Sequence, residues 1–514
     1  MSERILAIPF STGGINRRVG YQWQKPYFTV DALNVVPADP LLGRDRGGLR
    51  AGMTKYHADD WGSRFRCLGI FTNVDGTRSL IGATLSGGVS YAPISGESPS
   101  NGGGLNTTGR MQCFQFNLGM VFVGDTVHPT PVVATYATTG GVNNIADIVF
   151  TDDPSVDFPT AYPVCGMAKY NRLFLAFKGD TTGIAGRPNR WWASAVNDPL
   201  NMDDAADEED PTTAYSAELN DTNDQITAMI PWFGNYSAFA TTNQFYVLDG
   251  DPRAGGTMRQ CSKELGIVDC GSWCIGEDDA IVAMSASGPI IIPPGATPRP
   301  ELLLRDSLPG VLSSPDTANY EHTMAYDSRS RRVWIFRTSI SGVADVDHYM
   351  LDLQEKGWWR FRFASTNHEP FAAIPLRELA SNRTNLLLGC RDGYLRYFDE
   401  AVGTDDGTNI ANYVWLGPFK GGNGFDVGIW QELIVSLAKD SGDVTVAVHR
   451  GNSAEEAYNS TAQWSRTFSA GTSPIRHPIV SGDTFYLKVT GAAGVRWAWE
   501  SARGLIAPGG RMRT

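Results

Sequence analysis

The sequence predicts an all-β protein, a β-propeller of six to eight blades followed by an antiparallel β-sandwich or jelly-roll-like domain. Segments with apolar residues at helical spacing over three turns are almost absent, whereas short alternating segments recur along the chain. Up to about residue 400 these segments form clusters of three or four at intervals of about 40 to 50 residues, the spacing of four-stranded propeller blades. Beyond residue 400 the segments are longer and the repeat stops.

The first 60 residues are irregular and rich in Arg, Gly and Pro. We therefore expect residues 1–60 to be an amino-terminal arm that packs on a neighbouring subunit or on the carboxyl-terminal domain.

Residues 61–400 carry the repeats. The first begins with the run FRCLGIFT, the turn NVDG and the run SLIGAT, a hairpin whose Asp-Gly pair supplies the positive φ of a tight turn. Each cluster alone would be a thin sheet with two wet faces, and radial stacking of such sheets buries both faces. Insertions at residues 96–109 and 198–224 blur the period, so the sequence leaves the blade number open.

The run RLFLAF and the later pair of tryptophans illustrate this stacking. Strand alternation places Leu173 and Leu175 against one neighbouring blade and Phe174 against the other. We expect Trp191 and Trp192 to fill the wide outer gap between blades, where aliphatic side chains leave volume unoccupied.

Residues 401–514 begin with the polar linker AVGTDDGTN. Four longer alternating runs follow, around residues 429–437, 444–448, 464–468 and 485–490, separated by turns such as KDSGD and VSGD. This pattern predicts a compact antiparallel sandwich appended to the propeller.

Chemistry-bearing motifs are scarce. The seven Cys lack the paired CxxC spacing of zinc sites and favour a reducing compartment, and the seven His are scattered without a spacing that builds a site. The sequence contains neither a nucleophile elbow nor a phosphate loop. We therefore expect no enzyme activity, no catalytic residues, no cofactor and no metal. We also expect no membrane span, because no run approaches about 18 apolar residues.

Several local patterns are informative through their order along the chain. They are INRR (15–18), RDRGGL (44–49), NRLFL (171–175), WASAVNDP (192–199), DQITA (224–228), NQFYVLDG (243–250), LGIVDCGS (265–272), YMLDL (349–353), GWWRF (357–361), GCRDGYL (389–395), WAWES (497–501) and PGGRMR (508–513). In this order they resemble the tail nozzle, tail-tube and hub proteins of short-tailed bacteriophages, β-propeller proteins that stabilise packaged DNA.

The resemblance implies a structural component of the virion tail, assembled in the host cytoplasm. Such a protein forms a homo-oligomeric ring, expected to be sixfold, whose central channel retains and then conducts the genomic DNA. The implied partners are further copies of the chain, adaptor and portal-proximal proteins, and tail fibres or tip proteins. Double-stranded DNA would pass without sequence-specific binding.

The net charge of −12 suits a conduit. Each phosphate neutralised by Lys or Arg adds affinity that ejection must break, so we expect acidic loops to face the passage. The candidate channel-facing residues are Asp203, Asp204, Asp207, Glu208, Glu209 and Asp210. The candidate subunit-contact residues are Arg17, Arg18, Arg44, Arg46, Arg50, Arg511 and Arg513.

The main alternative is a propeller-type glycan-binding or glycan-cleaving protein at a cell or virion surface, in which exposed tryptophans such as Trp191 or Trp358 would stack on sugars. An intracellular scaffold of the WD-repeat type is a third interpretation, but the chain lacks the regular Gly-His and Trp-Asp punctuation.

Overall fold

The computed structural model describes residues 3–85, 88–94, 99–103, 109–117, 119–124, 132–137, 141–147, 162–179, 187–204, 209–220, 222–304, 307–377, 384–421 and 426–511. The strands of the first 60 residues are β1 Arg4–Ile8, β2 Ala32–Leu33, β3 Val35–Val36, β4 Gly48–Leu49 and β5 Gly52–Lys55. Of these, β3 and β4 pair with each other, and the other three join sheets formed by later parts of the chain.

The sheets that follow are small and antiparallel. Their strands are, in blade 1, β6 Phe65–Thr72, β7 Arg78–Thr84, β8 Gly88–Pro93 and β9 Ser100–Gly103; in blade 2, β10 Gln112–Phe116, β11 Gly119–Val123, β12 Val132–Ala137 and β13 Gly141–Asp147; in blade 3, β14 Pro163–Lys169, β15 Arg172–Phe177, β16 Arg190–Ala193 and β17 Tyr215–Glu218; and in blade 4, β18 Ile226–Pro231, β19 Tyr236–Thr241, β20 Phe245–Asp249 and β21 Thr257–Ser262.

Three further sheets complete the series. Their strands are, in blade 5, β22 Trp273–Ile275, β23 Ile281–Ser285, β24 Gly288–Ile292 and β25 Glu301–Leu302; in blade 6, β26 Tyr320–Asp327, β27 Arg332–Ser339, β28 His348–Asp352 and β29 Gly357–Phe361; and in blade 7, β30 Pro370–Arg377, β31 Thr384–Cys390 and β32 Leu395–Asp399, with the short β33 Thr404–Asp405 and β34 Thr408–Asn409 at its edge. Short 3-10 turns lie at Tyr21–Trp23, Pro252–Ala254, Glu277–Asp279, Gly310–Leu312 and Thr366–His368.

Blade 7 takes its fourth strand from the start of the chain. Strand β5 pairs antiparallel with β32, with Met53 opposite Phe398. The described residues thus form six four-stranded blades and a seventh blade whose four strands are extended by β33 and β34, and the predicted propeller is confirmed. Because residues 52–55 supply the outer strand of the last blade, the ring of sheets is closed by strand pairing between the two ends of the propeller.

Neighbouring blades bury apolar residues between them as the alternation predicted. Leu175 and Trp192 of blade 3 pack with Val121 of blade 2. On the opposite face, Phe174 and Trp191 pack with residues of blade 4, and the Trp191 ring centroid lies 5.1 Å from that of Phe239.

The carboxyl-terminal part is a sandwich of two sheets. Its elements are β35 Tyr413–Lys420, β36 Asp426–Leu437, β37 Val444–Gly451, α1 Ala454–Asn459, β38 Trp464–Phe468, β39 Gly471–Thr472, β40 Val480–Gly482, β41 Thr484–Gly491 and β42 Trp499–Arg511. One sheet has the order β1-β42-β36-β39, with β40 also paired to β36, and the other has the order β2-β35-β41-β37-β38. The arm therefore contributes a strand to each sheet of the sandwich.

One apolar cluster joins these parts. It contains Trp430 and Ile506 from the first sheet, Leu487 from the second, Leu6 from the arm and Trp334 from blade 6. The arm, the sandwich and the last blades consequently share a core.

Candidate functional site

The axial channel of the propeller is lined by residues in or beside the first strand of every blade. The cavity along it has a volume of about 250 Å³. The major groove of a DNA duplex alone is about 12 Å wide, and a cavity of about 250 Å³ cannot hold such a duplex.

Arg110, which precedes the first strand of blade 2, crosses this channel. Its Nη1 donates to the Asp269 Oδ2 atom at 3.2 Å and to the His322 carbonyl at 2.8 Å. Its Nη2 donates to the Thr323 hydroxyl at 2.9 Å. These acceptors belong to blades 5 and 6, on the far side of a seven-blade ring. Arg110 is therefore a cross-link through the centre of the propeller.

Gly271, which precedes the first strand of blade 5, makes room for this guanidinium. A Cβ atom at residue 271 would lie 2.3 Å from Arg110 Nη2, which is closer than real contacts allow. Because glycine has no side chain, residue 271 leaves space in the channel for the Arg110 guanidinium.

A second arginine makes a similar contact. Arg66 of blade 1 donates from Nη1 to the Glu321 Oε1 atom of blade 6 at 3.2 Å and thus reaches past blade 7. Burial, with the neighbouring Arg64, lowers the pKa of Arg66 to about 10, although Glu321 opposes the shift. The arginine still carries its charge at neutral pH.

The edge of the channel at blade 7 is built around Phe371. The guanidinium carbons of Arg64 and Arg391 lie 4.5 and 4.9 Å from its ring centroid. Arg391 also pairs with Glu369 at 2.9 Å. Burial nevertheless raises the pKa of Glu369 to about 7, which shows that loss of solvent outweighs the single ion pair.

His322 is the histidine of this region. Burial, together with Arg110 and Arg337, lowers its pKa to about 4, so the ring is neutral at pH 7. Its Nε2 atom is buried and has no hydrogen-bond partner within the described part of the chain.

The three carboxylates Asp269, Glu321 and Glu369 each pair with an arginine. This arrangement is suited to holding blades together.

Two further observations concern the described residues only. They contain no group of three His, Cys, Asp or Glu side chains placed to hold a metal ion. They also contain no helix that is long and apolar enough to cross a membrane.

The acidic segment proposed to face a passage lies between β16 and β17, the third and fourth strands of blade 3, whereas the first strands line the channel. Asp204 is paired there with Arg190 at 3.4 Å. The amide and hydroxyl of Thr212 hold the pKa of Asp210 below its usual value. Asp203 is half-buried and Glu209 is exposed. Asp207 and Glu208 lie outside the described residues.

The basic residues proposed as subunit contacts differ in their surroundings. Arg50 is 1% exposed and forms a bidentate pair with Asp405, so the expectation that it contacts another subunit is corrected. Arg46 is mostly buried between Asp39 and Glu500. The two pairs tie the arm to the segment after blade 7 and to the sandwich.

The remaining members of that set are more accessible or undescribed. Arg17 is half-exposed and pairs with Asp31 at 2.6 Å, and Arg18 and Arg44 are exposed. The backbone of Arg511 ends β42, whereas its side chain and Arg513 lie outside the described residues.

The tryptophans suggested as sugar platforms are inside the molecule. Trp191 is 2% exposed and Trp358 is 0% exposed, because both fill interfaces between blades. This finding corrects the expectation that these two tryptophans are exposed.

Large apolar side chains are exposed mainly on the arm and the sandwich. Eight of the twelve exposed large apolar residues among those described belong to these regions, which make up about a third of the chain. They are Ile5, Val19, Trp23, Tyr27, Leu42, Ile475, Ile479 and Val495. Exposed tryptophan and tyrosine are typical of surfaces that bind other proteins.

Neither a family profile nor a curated protein matches the sequence. Similarity to solved structures is limited to the fold. A streptogramin B lyase is 10% identical, with a TM-score of 0.42 over 68% of this chain and 97% of the lyase. BamB from Moraxella catarrhalis is 11% identical, with a TM-score of 0.37 over 72% of this chain and 98% of BamB. PorZ, a surface component of the type-IX secretion system of Porphyromonas gingivalis, is 11% identical, with a TM-score of 0.42 over 86% of this chain and 60% of PorZ.

Proposed function

We propose that the chain is a non-enzymatic structural component of the tail of a short-tailed bacteriophage, a nozzle or hub, in which copies assemble into a ring. The ring retains packaged DNA and then conducts it. The ordered sequence patterns that resemble such proteins support the proposal. The net charge of −12 also supports it, because a conduit for DNA is expected to be acidic.

The structural observation that supports assembly is the exposed apolar surface of the arm and sandwich. Trp23 is 71% exposed, Ile5 is 76% exposed and Ile479 is 72% exposed. A chain that kept this surface in water would forgo the hydrophobic stabilisation available from burial, about 25 cal/mol per Å² of apolar area. A contact between this surface and a different surface of the next copy would generate a ring if the rotation closes.

The axial channel of each propeller bears on where the proposed DNA passage would lie. Because Arg110 bridges the axis of the propeller, the duplex would run along the symmetry axis of the ring, outside each propeller. The walls of that passage would be formed by blade edges and loops.

Sedimentation velocity of the purified chain, alone and mixed with its adaptor protein, tests the proposal. We expect a large species that contains several copies. Trp23→Ala should shift it towards single chains, whereas Val74→Ala, at an exposed turn of blade 1, should leave it unchanged. A chain that stays single at every concentration and with the adaptor would contradict ring assembly.

A further inference from the structure

A second cavity lies against blade 6, apart from the axial channel. Its volume is about 460 Å³, within the range of small-molecule sites. Its walls come from the arm, from strands β26 to β29 and from the loops at residues 307–311 and 343–347.

Arg337 determines the chemistry of this cavity. Its guanidinium carbon lies 3.4 Å from the centroid of the Tyr320 ring, a cation–π contact on the cavity wall. Its Nε atom is buried and has no hydrogen-bond partner among the described residues. No carboxylate of the described chain forms an ion pair with it.

The other charges around the cavity neutralise one another. The pairs are Arg17–Asp31 at 2.6 Å, Arg360–Asp31 at 3.0 Å, Arg362–Asp347 at 2.5 Å and Arg362–Asp345 at 3.8 Å. Among the described residues, Arg17, Arg360 and Arg362 are thus paired with aspartates, whereas Arg337 forms no ion pair. Asp316 is near enough to interact with Arg337 electrostatically but forms no salt bridge with it. A half-buried cation in this position favours a single negative charge, and the nearby aspartates disfavour a dianion.

We propose that this cavity binds a small organic carboxylate with an apolar body. The carboxylate pairs with the Arg337 guanidinium, whose planar donors suit that group. The apolar body packs on Pro309, Val311 and Val343, which line the same cavity. The site is independent of ring assembly, since it needs only one copy of the chain.

Isothermal titration calorimetry with three probes tests the site on the full chain. Benzoate carries both the charge and the apolar ring, acetate carries the charge alone, and benzyl alcohol carries the ring alone. We expect saturable one-to-one binding of benzoate, tighter than binding of either other probe. Equal binding of benzoate and benzyl alcohol, or no saturable benzoate binding, would overturn the proposal.

Substitutions assign the binding to Arg337. Arg337→Gln should weaken benzoate binding by about tenfold or more, because it removes a charge-assisted hydrogen bond, and should leave benzyl alcohol unaffected. The control Arg259→Gln, at an exposed position on blade 4, should stay within about twofold of wild type. Equal losses in the two variants would place the binding elsewhere.

A second variant keeps the test decisive if Arg337→Gln fails to fold. Val343 is 53% exposed at the rim, so Val343→Glu should fold and should place a competing carboxylate at the cavity. We expect it to weaken benzoate binding severalfold. Unchanged affinity in Val343→Glu would contradict the assigned cavity.

Discussion

The axial channel and the outer surface of the arm and sandwich present different side chains. The channel holds paired charged groups, whereas the outer surface carries exposed apolar groups. In the channel, Arg66 and Arg110 are turned inward and paired with carboxylates from distant blades. On the arm and sandwich, Trp23 and Ile479 are turned outward, 71% and 72% exposed. The difference teaches that these charged groups of the channel hold blades together, because each is paired with a group from another blade. The exposed apolar surface of the arm and sandwich is the one that we propose joins copies of the chain.

The largest expected effect on stability comes from a substitution in the apolar core beneath that outer surface. Trp430 is 0% exposed, and its ring meets the edges of Phe419 and Phe485 at centroid distances of 5.7 and 5.5 Å. Trp430→Ala should lower the free energy of unfolding by about 3 to 5 kcal/mol through lost burial and a residual cavity. Urea denaturation measures the loss. Trp464→Ala, at a half-buried edge strand, is the control and should lose clearly less.

The next effect is a pH dependence caused by His348. Burial lowers its pKa to about 3, with Arg50, Arg337 and Arg362 contributing, and neither ring nitrogen has a hydrogen-bond partner among the described residues. The unfolded chain takes up the proton below about pH 6.5, whereas the folded chain resists it until about pH 3. Stability should therefore fall as the pH drops from 6.5 towards 4, by on the order of 3 kcal/mol from this residue.

His348→Met isolates that contribution. The variant fills the same apolar space between Phe336, Phe361 and Phe363 without a titrating group, so its stability should vary less between pH 7 and pH 4. Glu369 acts in the opposite direction, because a raised pKa adds stability as the pH falls from about 7 to about 4.5. His477→Met, at an exposed position, is the control. Both variants retain Glu369, so the difference between their pH profiles excludes its contribution. Parallel pH profiles for the two variants would show that His348 does not titrate as proposed.

A smaller effect tests the cross-link in the channel. Arg110→Met should cost about 1 to 3 kcal/mol of unfolding free energy, because it leaves Asp269 and the His322 carbonyl without their donor. Combining it with Asp269→Asn should cost less than the sum of the single losses, since the two side chains interact. Thermal unfolding of the four proteins gives the coupling. Strict additivity would mean that Arg110 and Asp269 do not stabilise each other.

The smallest effect on stability comes from the outer surface. Trp23→Ala should change the free energy of unfolding by no more than about 0.5 kcal/mol, because the side chain is largely in water. The same substitution should reduce assembly in sedimentation experiments. A large loss of stability would instead assign Trp23 a role in folding the arm.

The sequence predicted the parts of the fold that depend on local alternation. Leu175 and Phe174 face different neighbouring blades, and the sandwich follows the repeats, because both features are written into short stretches of chain. The blade number could not be read in the same way. The seventh blade needs Gly52–Lys55, which pairs with residues more than 340 positions later.

The channel was also beyond sequence reasoning. Arg110 precedes an ordinary strand, and its acceptors Asp269, His322 and Thr323 lie 159 to 213 residues away along the chain. Gly271 in the sequence DCGS was the one sequence signal for this contact, and a single glycine is not a specific signal. Arg50 likewise reads as a solvated basic residue until Asp405 is brought beside it.

Electron microscopy of the assembled protein tests the central claim most directly. Our account predicts a ring of several copies joined through the arm and sandwich, with a DNA-sized passage between copies and with each propeller axis closed by Arg110. Single propellers, or DNA threaded along the axis of one propeller, would contradict it.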